Sequence, residues 1–480
     1  MTETEIVKNK VTARIAAHLH RLRRDEDGTM VVFALFLFVI MLMFTGMAVD
    51  FMRVENTRTK VQSTVDRAVL AAADLDQTRP PVDVVNDYMN KAGLGDALVS
   101  APVVNSGLNY RTVTANARVE VPMLFSGLAR VFDKNANVVE SMTVPASSQA
   151  EERVSNVEIS LVVDISGSMS SNSKIQNLRA AATEFVETVL DDTNEDLVSV
   201  SLIPYSEHVN AGPLLYNRLS VNTRHNYSHC IELPDSIYGS TVFPQNRTYE
   251  QMQFFQWNYD GRNNSLTDTV CPRWDYERIT PWSQNLTTLK SQIAALQPRA
   301  GTQIHIGMKW GVALLDPGFR NIETALINSG NVDSAFAGRP KDYADTETLK
   351  FVILMTDGEN STSQRIQSWA YDTASEYQHW YNYNFNYYLS RYVNSRYWSQ
   401  YYYQKYTKAQ GDNLLDQVCD AAKAAGIVVW TIGFEVEQTG ADVMQNCASS
   451  PSHFFRVEGV EISEAFDSIA SQINNLRLTQ

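Results

Sequence analysis

Five oxygen-bearing residues stand out by type and spacing. Asp164-Ile165-Ser166-Gly167-Ser168 follows directly on the apolar run Val157–Val163. A spacing of two puts one carboxylate and two hydroxyls on the same side of a tight loop, and Gly167 permits the bend. Ala300-Gly301-Thr302 stands just before a helical pattern and adds a third hydroxyl. A second apolar run, Lys350–Thr356, ends in Asp357-Gly358-Glu359 and adds a second carboxylate. Hard oxygen donors of this kind suit Mg²⁺, or Ca²⁺ or Mn²⁺. The hydrolytic alternative is a Ser168, His305 and Asp357 triad. It lacks G-x-S-x-G, and a serine among metal-type oxygens has no activating base, so no enzymatic activity is expected.

These residues need elements to hold them. Strand Val157–Val163 is mainly apolar, interrupted by Glu158 and Ser160, and reads as a strand of a parallel sheet buried on both faces. After it come helix Ile175–Leu190, strand Leu197–Pro204, helices Leu286–Leu296 and Ile304–Leu315, and strand Leu349–Thr356. Helix Asn413–Ala425, strand Ile427–Phe434 and helix Ser463–Leu476 complete the pattern. That alternation predicts an α/β, open doubly wound (Rossmann-like) sheet, which places its ligands at the carboxyl ends of its strands. The domain is expected over 154–480, with insertions at 205–285 and 361–408. The second insertion holds a tract, Trp369–Tyr406, in which 16 of 38 residues are aromatic. It reads either as a helical hairpin with a tyrosine-rich solvent face or as an adhesive surface. Because it supplies no strand to the predicted sheet order, its removal is expected to leave the domain folded.

Upstream, Met30–Val49 is an uncharged run of 20 residues. At 1.5 Å per residue it reaches about 30 Å, the thickness of a hydrocarbon core. It is longer than a signal-peptide core and has no A-x-A site, so it reads as an uncleaved anchor in membrane lipid. Six Lys or Arg precede it (Lys8, Lys10, Arg14, Arg21, Arg23, Arg24). Only Arg53, Arg58 and Lys60 follow within fifteen residues. This bias puts tail 1–29 in the cytoplasm and the bulk of the chain outside it. Residues 50–153 are expected to form an α+β stalk domain. Val54, Val61, Val65, Ala68, Val69 and Ala72 continue a helix that Arg79-Pro80-Pro81 stops, and strands are expected at Tyr110–Val121 and Val138–Val144.

The four cysteines, Cys230, Cys271, Cys419 and Cys447, all lie beyond the span, which suits an oxidising compartment. With no C-x-x-C and no histidine at ligand spacing, zinc is not expected. Proximity favours the pairs 230–271 and 419–447 among the three possible. The net charge of −14, with no offsetting basic stretch, argues against nucleic acid as a partner.

The set D-x-S-x-S, then Thr302, then Asp357, resembles the metal-ion-dependent adhesion site of von Willebrand factor A domains, over about residues 154–477. The resemblance implies that Ser166, Ser168 and Thr302 touch the metal, while Asp164 and Asp357 hold it largely through water. It also leaves one place for a partner's carboxylate. Gly28, the span and AVDFMRVENTRTKVQSTVDRAVLAAADL resemble the anchor of TadG-like proteins of Flp (tight-adherence) pilus assembly. So do Val418-Cys419-Asp420, Thr431-Ile432-Gly433-Phe434 and Asn446-Cys447-Ala448-Ser449. That resemblance implies a single-pass protein of the bacterial inner membrane. Its periplasmic A domain would engage pilus or secretion-machinery components in assembly or adhesion. The alternative is a structural, minor-pilin-like subunit without metal-dependent binding. A type IVb prepilin carries Glu five residues past its cleavage glycine; here that place is Phe33, which argues against processing at Gly28.

Overall fold

A computed structural model describes residues 27–479, apart from 76, 108, 109, 132, 133, 136, 192–195, 258 and 259. The basic residues Lys8 to Arg24, on which the orientation rests, lie outside the described residues. The chain divides into two compact units between Arg153 and Val154.

In the first unit one helix, Asp27–Ala73, runs for 47 residues without a break. From Met30 to Thr45 it is largely exposed, with Met30, Phe33, Phe36 and Phe44 each more than half accessible. Val61, Val65, Ala68, Val69 and Ala72 follow at steps of three and four. They share one face and are buried. That face packs on an antiparallel sheet of β1 (Val103–Ser106), β2 (Tyr110–Pro122) and β3 (Ser141–Arg153), in the order β1-β2-β3. Val113, Ala115 and Ala117 of β2 and Ala146 and Ala150 of β3 complete this core. The strand expected at Val138–Val144 instead starts at Ser141 and runs on to Arg153. Past Val144 its buried residues are only Ala146 and Ala150, so the sequence carries little apolar alternation there. The long helix ends at Ala73, ahead of the prolines. Pro81 opens a second helix, Pro81–Lys91, where its fixed φ fits the first turn.

The second unit is the doubly wound sheet. β4 (Asn156–Asp164) and β5 (Val198–Tyr205) come first. A small sheet follows in the first insertion, made of β6 (Val221–Asn222), β7 (Ile231–Glu232) and β8 (Tyr249–Gln251). Then come β9 (Thr280–Ser283), β10 (Thr348–Thr356), the hairpin of β11 (Ser363–Ile366) and β12 (Tyr402–Tyr406), β13 (Val428–Phe434) and β14 (Phe454–Val457). The main sheet has the order β14-β13-β10-β4-β5-β9. All its neighbours are parallel except the β5–β9 edge pair. Helix Lys174–Val189 packs against Leu286–Ala295 and Glu461–Thr479, and Ile304–Ala313 packs against Lys408–Ala424.

Two expected boundaries move. The edge strand β9 lies inside the stretch 205–285 that reads as insertion; it is four residues long and contains Pro281, so its strand signal is weak. The helix expected at Asn413 begins at Lys408. Thr407 caps it, and Gln410 closes a capping box.

The tyrosine-rich tract adds no strand to the main sheet, yet it does not stand apart from the core. It forms two short helices, Ala374–Asn382 and Phe385–Tyr392. Tyr371, Trp380, Phe385 and Leu389 are buried with Met252, Phe255, Cys230 and Cys271 in a second core. Tyr406, only 1% exposed, joins the main one. The expectation that the tract can be removed without loss is therefore corrected. Trp369, Tyr392, Tyr397 and Tyr403 remain exposed.

Candidate metal centre

β4 turns to β5 on one side, and the chain later returns to β10 on β4's other side. The crevice between the carboxyl ends of β4 and β10 is thus the point where the strand order reverses. Asp164 ends β4, and Asp357 follows β10 directly.

Asp164 is fully buried. Its Oδ1 accepts the Ser166 backbone N–H at 2.7 Å, so the carboxylate itself bends the loop. Its Oδ2 accepts the Thr356 hydroxyl at 2.7 Å, with the Tyr205 hydroxyl at 3.5 Å. Ser166 Oγ and Ser168 Oγ lie 3.0 Å apart, and Ser168 Oγ donates to Asp357 Oδ1 at 2.6 Å. Ser168 is the exposed member, so the cluster opens to solvent on that side.

Thr302 joins through its backbone. Gly167 N–H donates to Ala300 O at 2.9 Å, and Arg299 N–H to Ile165 O at 2.8 Å. These bonds clamp the loop before Thr302 onto the D-x-S-x-S loop. A Cβ on Gly167 would lie 3.1 Å from Ala300 O, which is why the close approach favours glycine there. Ala300 holds φ +60°, an unusual value for a residue with a side chain, next to the expected ligand. On the other side Thr302 O accepts the Ser361 N–H at 2.8 Å, and Thr302 N–H donates to Ser361 Oγ at 3.0 Å. The three loops are thereby laced together, with Asp164, Ser166, Ser168 and Asp357 in direct side-chain contact.

Sequence reasoning missed Lys174. Asn172 and Ser173, at φ 50° and 58°, turn the chain back so that the helix starts with Lys174 over the site. Its ammonium lies 3.1 Å from Asp357 Oδ2 and 3.7 Å from Glu435 Oε2. Thr356, Tyr205, Asn360 and Ser361 were also missed. Thr356, directly before Asp357 at the end of an apolar strand, was the legible one.

The donor set fits a hard divalent cation. Two carboxylates and the hydroxyls of two serines meet at one crevice, and burial together with Asp357 raises Asp164 to about 7. Burial is the larger cause, and the neighbouring charge of Asp357 adds to it. Among the described residues no group of three or more His, Cys, Asp or Glu offers another kind of metal site. The hydrolytic triad is not assembled: Ser168 bonds Asp357 directly, while His305 is buried between Tyr238 and Tyr406, with Asn360 Oδ1 at 3.4 Å. Cys230 is bonded to Cys271, and Cys419 to Cys447.

No curated protein sequence matches this chain. Among solved structures it is similar to the von Willebrand factor domain of the type V pili tip protein Mfa5 from Porphyromonas gingivalis. The identity is 15% over 68% of this chain and 97% of that one, with a TM-score of 0.36. It is also similar to the pilus adhesin SpaC from Lactobacillus rhamnosus GG, at 14% identity over 78% of this chain and 34% of that one, TM-score 0.34. A von Willebrand factor type A structure from Catenulispora acidiphila matches at 12% identity, over 78% and 49% of the two chains, TM-score 0.28. Residues 28–75 match the family described as "Putative Flp pilus-assembly TadE/G-like", so over that segment the chain is similar to it.

Proposed function

We propose that this chain is a membrane-anchored envelope protein of a pilus-assembly or adhesion system. In this reading it holds a partner protein through a divalent cation at the β4/β10 crevice. Ser166, Ser168 and Thr302 would hold the ion, and Asp164 and Asp357 would supply its negative charge. Bound there, Mg²⁺ or a similar ion supplies a Lewis-acidic place that a partner's Asp or Glu can fill. Residues 30–49 would lie in the cytoplasmic membrane, with the N-terminus inside and the second unit in the periplasm. The observation that carries this reading is the meeting of Asp164, Ser166, Ser168 and Asp357 at the switch point of the sheet.

Calorimetric titration of the purified chain with Mg²⁺ and Mn²⁺ tests it, beside Asp164→Asn. Asparagine is chosen over alanine for a structural reason. Asp164 is a buried anchor for Ser166 and Thr356, and an alanine there would leave both without their acceptor. Asparagine keeps its shape and loses its charge. Heat from the wild type and none from the variant is expected; equal heats would remove the metal site. A second reading, a structural subunit of the filament, draws on the unbroken 47-residue helix packed on a small antiparallel sheet. Recovery of the chain in sheared filaments would favour it.

A further inference from the structure

We propose that the loop after β2, Met123 to Phe125, is a second membrane element. In it Leu124 and Phe125 enter the outer leaflet beside the anchor helix. The proposal rests on reading residues 30–49 as a span.

Contacts between this loop and the helix run in order toward the membrane. Arg53 Nη1 donates to Pro122 O at 3.1 Å. Three residues nearer the span, Asp50 Oδ1 accepts the Leu124 N–H at 2.9 Å and Oδ2 accepts the Phe125 N–H at 2.8 Å. Inside the apolar run, a Cβ on Gly46 would lie 2.8 Å from Phe125 Cβ and Cγ, so the ring rests on the bare glycine backbone. From Arg53 to Gly46 the helix descends about 10 Å. The loop therefore descends below the end of the span with it.

Two features fit that place and make little sense in water. Leu124 is 62% exposed and Phe125 37%, though both stand on a loop whose backbone is firmly tied. They widen sideways the exposed apolar band of the helix, which continues through Phe44, Met47, Phe51 and Met52. The second feature is Asp50. It is 4% exposed, and both of its oxygens are taken up by the loop's N–H groups. A carboxylate and two backbone donors thereby satisfy one another where water is scarce, as a lipid environment demands. The partner this surface fits is the acyl-chain region of a bilayer.

The test uses the full chain in phospholipid vesicles. Its four native cysteines are paired, so an introduced cysteine is the free thiol that takes an environment-sensitive fluorophore. Leu124→Cys is compared with Phe38→Cys at mid-span and with Asn116→Cys on the exposed face of β2. The probe at 124 should emit to the blue of the probe at 116. Lipids with a nitroxide high on the acyl chain should quench it, and aqueous iodide should leave it unquenched. Gly46→Val should push Phe125 off the helix and move the 124 probe toward the aqueous signal. A 124 probe that behaves as the 116 probe does, while the 38 probe stays in lipid, would overturn the wedge alone. Iodide quenching at 38 as well would overturn the span and the wedge with it.

Discussion

The ammonium of Lys174 sits 3.1 Å from Asp357 Oδ2, on the carboxylate that the candidate metal centre needs. Both side chains are buried, at 8% and 0% exposure, so the pair is shielded from solvent. Lys174 acts as a tethered cation that already offsets part of the charge of the crevice. Replacing it by methionine should have two opposite effects. The metal-free protein should lose roughly 3–5 kcal/mol, because a buried carboxylate is left without its partner. Binding of Mg²⁺ should tighten by about tenfold or more, because a like charge a few ångströms from the ion is gone. Urea unfolding in chelator reads the first and calorimetric titration the second. Unchanged Mg²⁺ affinity would show that Asp357 and Lys174 do not face the ion.

Excision of Trp369–Tyr406 should abolish cooperative unfolding of the second unit. Tyr406 packs its ring 4.8 Å from that of His305 in the main core, and the rings of Trp380 and Phe385 meet at 4.9 Å, tilted, in the second. Removing them would bare Phe255 and the Cys230–Cys271 bridge to water. Thermal unfolding followed by near-UV dichroism is the measurement. A sharp transition in the deletion variant would return the tract to the status of a surface appendage.

The expected centre was legible because its main pieces follow long apolar strands. β4 and β10 are buried almost end to end, so their last residues mark the rim where ligands bind. Lys174 was not legible: ten residues past Asp164, at the start of an amphipathic helix, it reads as an ordinary solvated lysine. Only the left-handed turn at Asn172 and Ser173 swings it inward, and neither residue type demands that turn. β3 hid for a different reason. Its open face carries Ser147, Gln149 and Glu151, and past Val144 its buried residues are only Ala146 and Ala150. The aromatic tract misled because the burial of a tyrosine depends on what it meets, and its partners lie more than a hundred residues away in sequence.

The two disulfides should differ in what they hold. Cys419–Cys447 ties the helix Lys408–Ala424 to the helix Gln438–Cys447 within the main core. Replacing both cysteines by serine should cost about 2–5 kcal/mol in urea unfolding. Cys230–Cys271 closes a longer stretch, 41 residues, inside the first insertion. Its double serine variant should loosen that insertion, seen as faster proteolysis between residues 205 and 285, while metal titration stays intact. Loss of the metal heat in this second variant would show that the insertion supports the crevice.

His305 gives a pH dependence whose sign follows from its surroundings. The ring is fully buried, and burial pushes it down from the ordinary histidine value to about 3. Above pH 6.5 it is neutral in both the folded and the unfolded chain and contributes no slope. Below pH 6.5 the unfolded chain takes up a proton that the folded chain refuses. Stability then falls by about 1.4 kcal/mol per pH unit from this group, until about pH 3. Asp164, raised to about 7, works the other way over much of this range, so the total slope of the wild type does not isolate the histidine. The comparison with His305→Gln does. At pH 7.5 the variant should be less stable, because it loses the ring contacts with Tyr238 and Tyr406. As pH falls from 6.5 to 4.5 its deficit should shrink by about 2–3 kcal/mol, since glutamine takes up no proton on unfolding. Urea unfolding of both proteins at pH 7.5, 6.0 and 4.5 checks this. A deficit that stays constant across the three pH values would show that His305 titrates normally in the folded state and is reached by water.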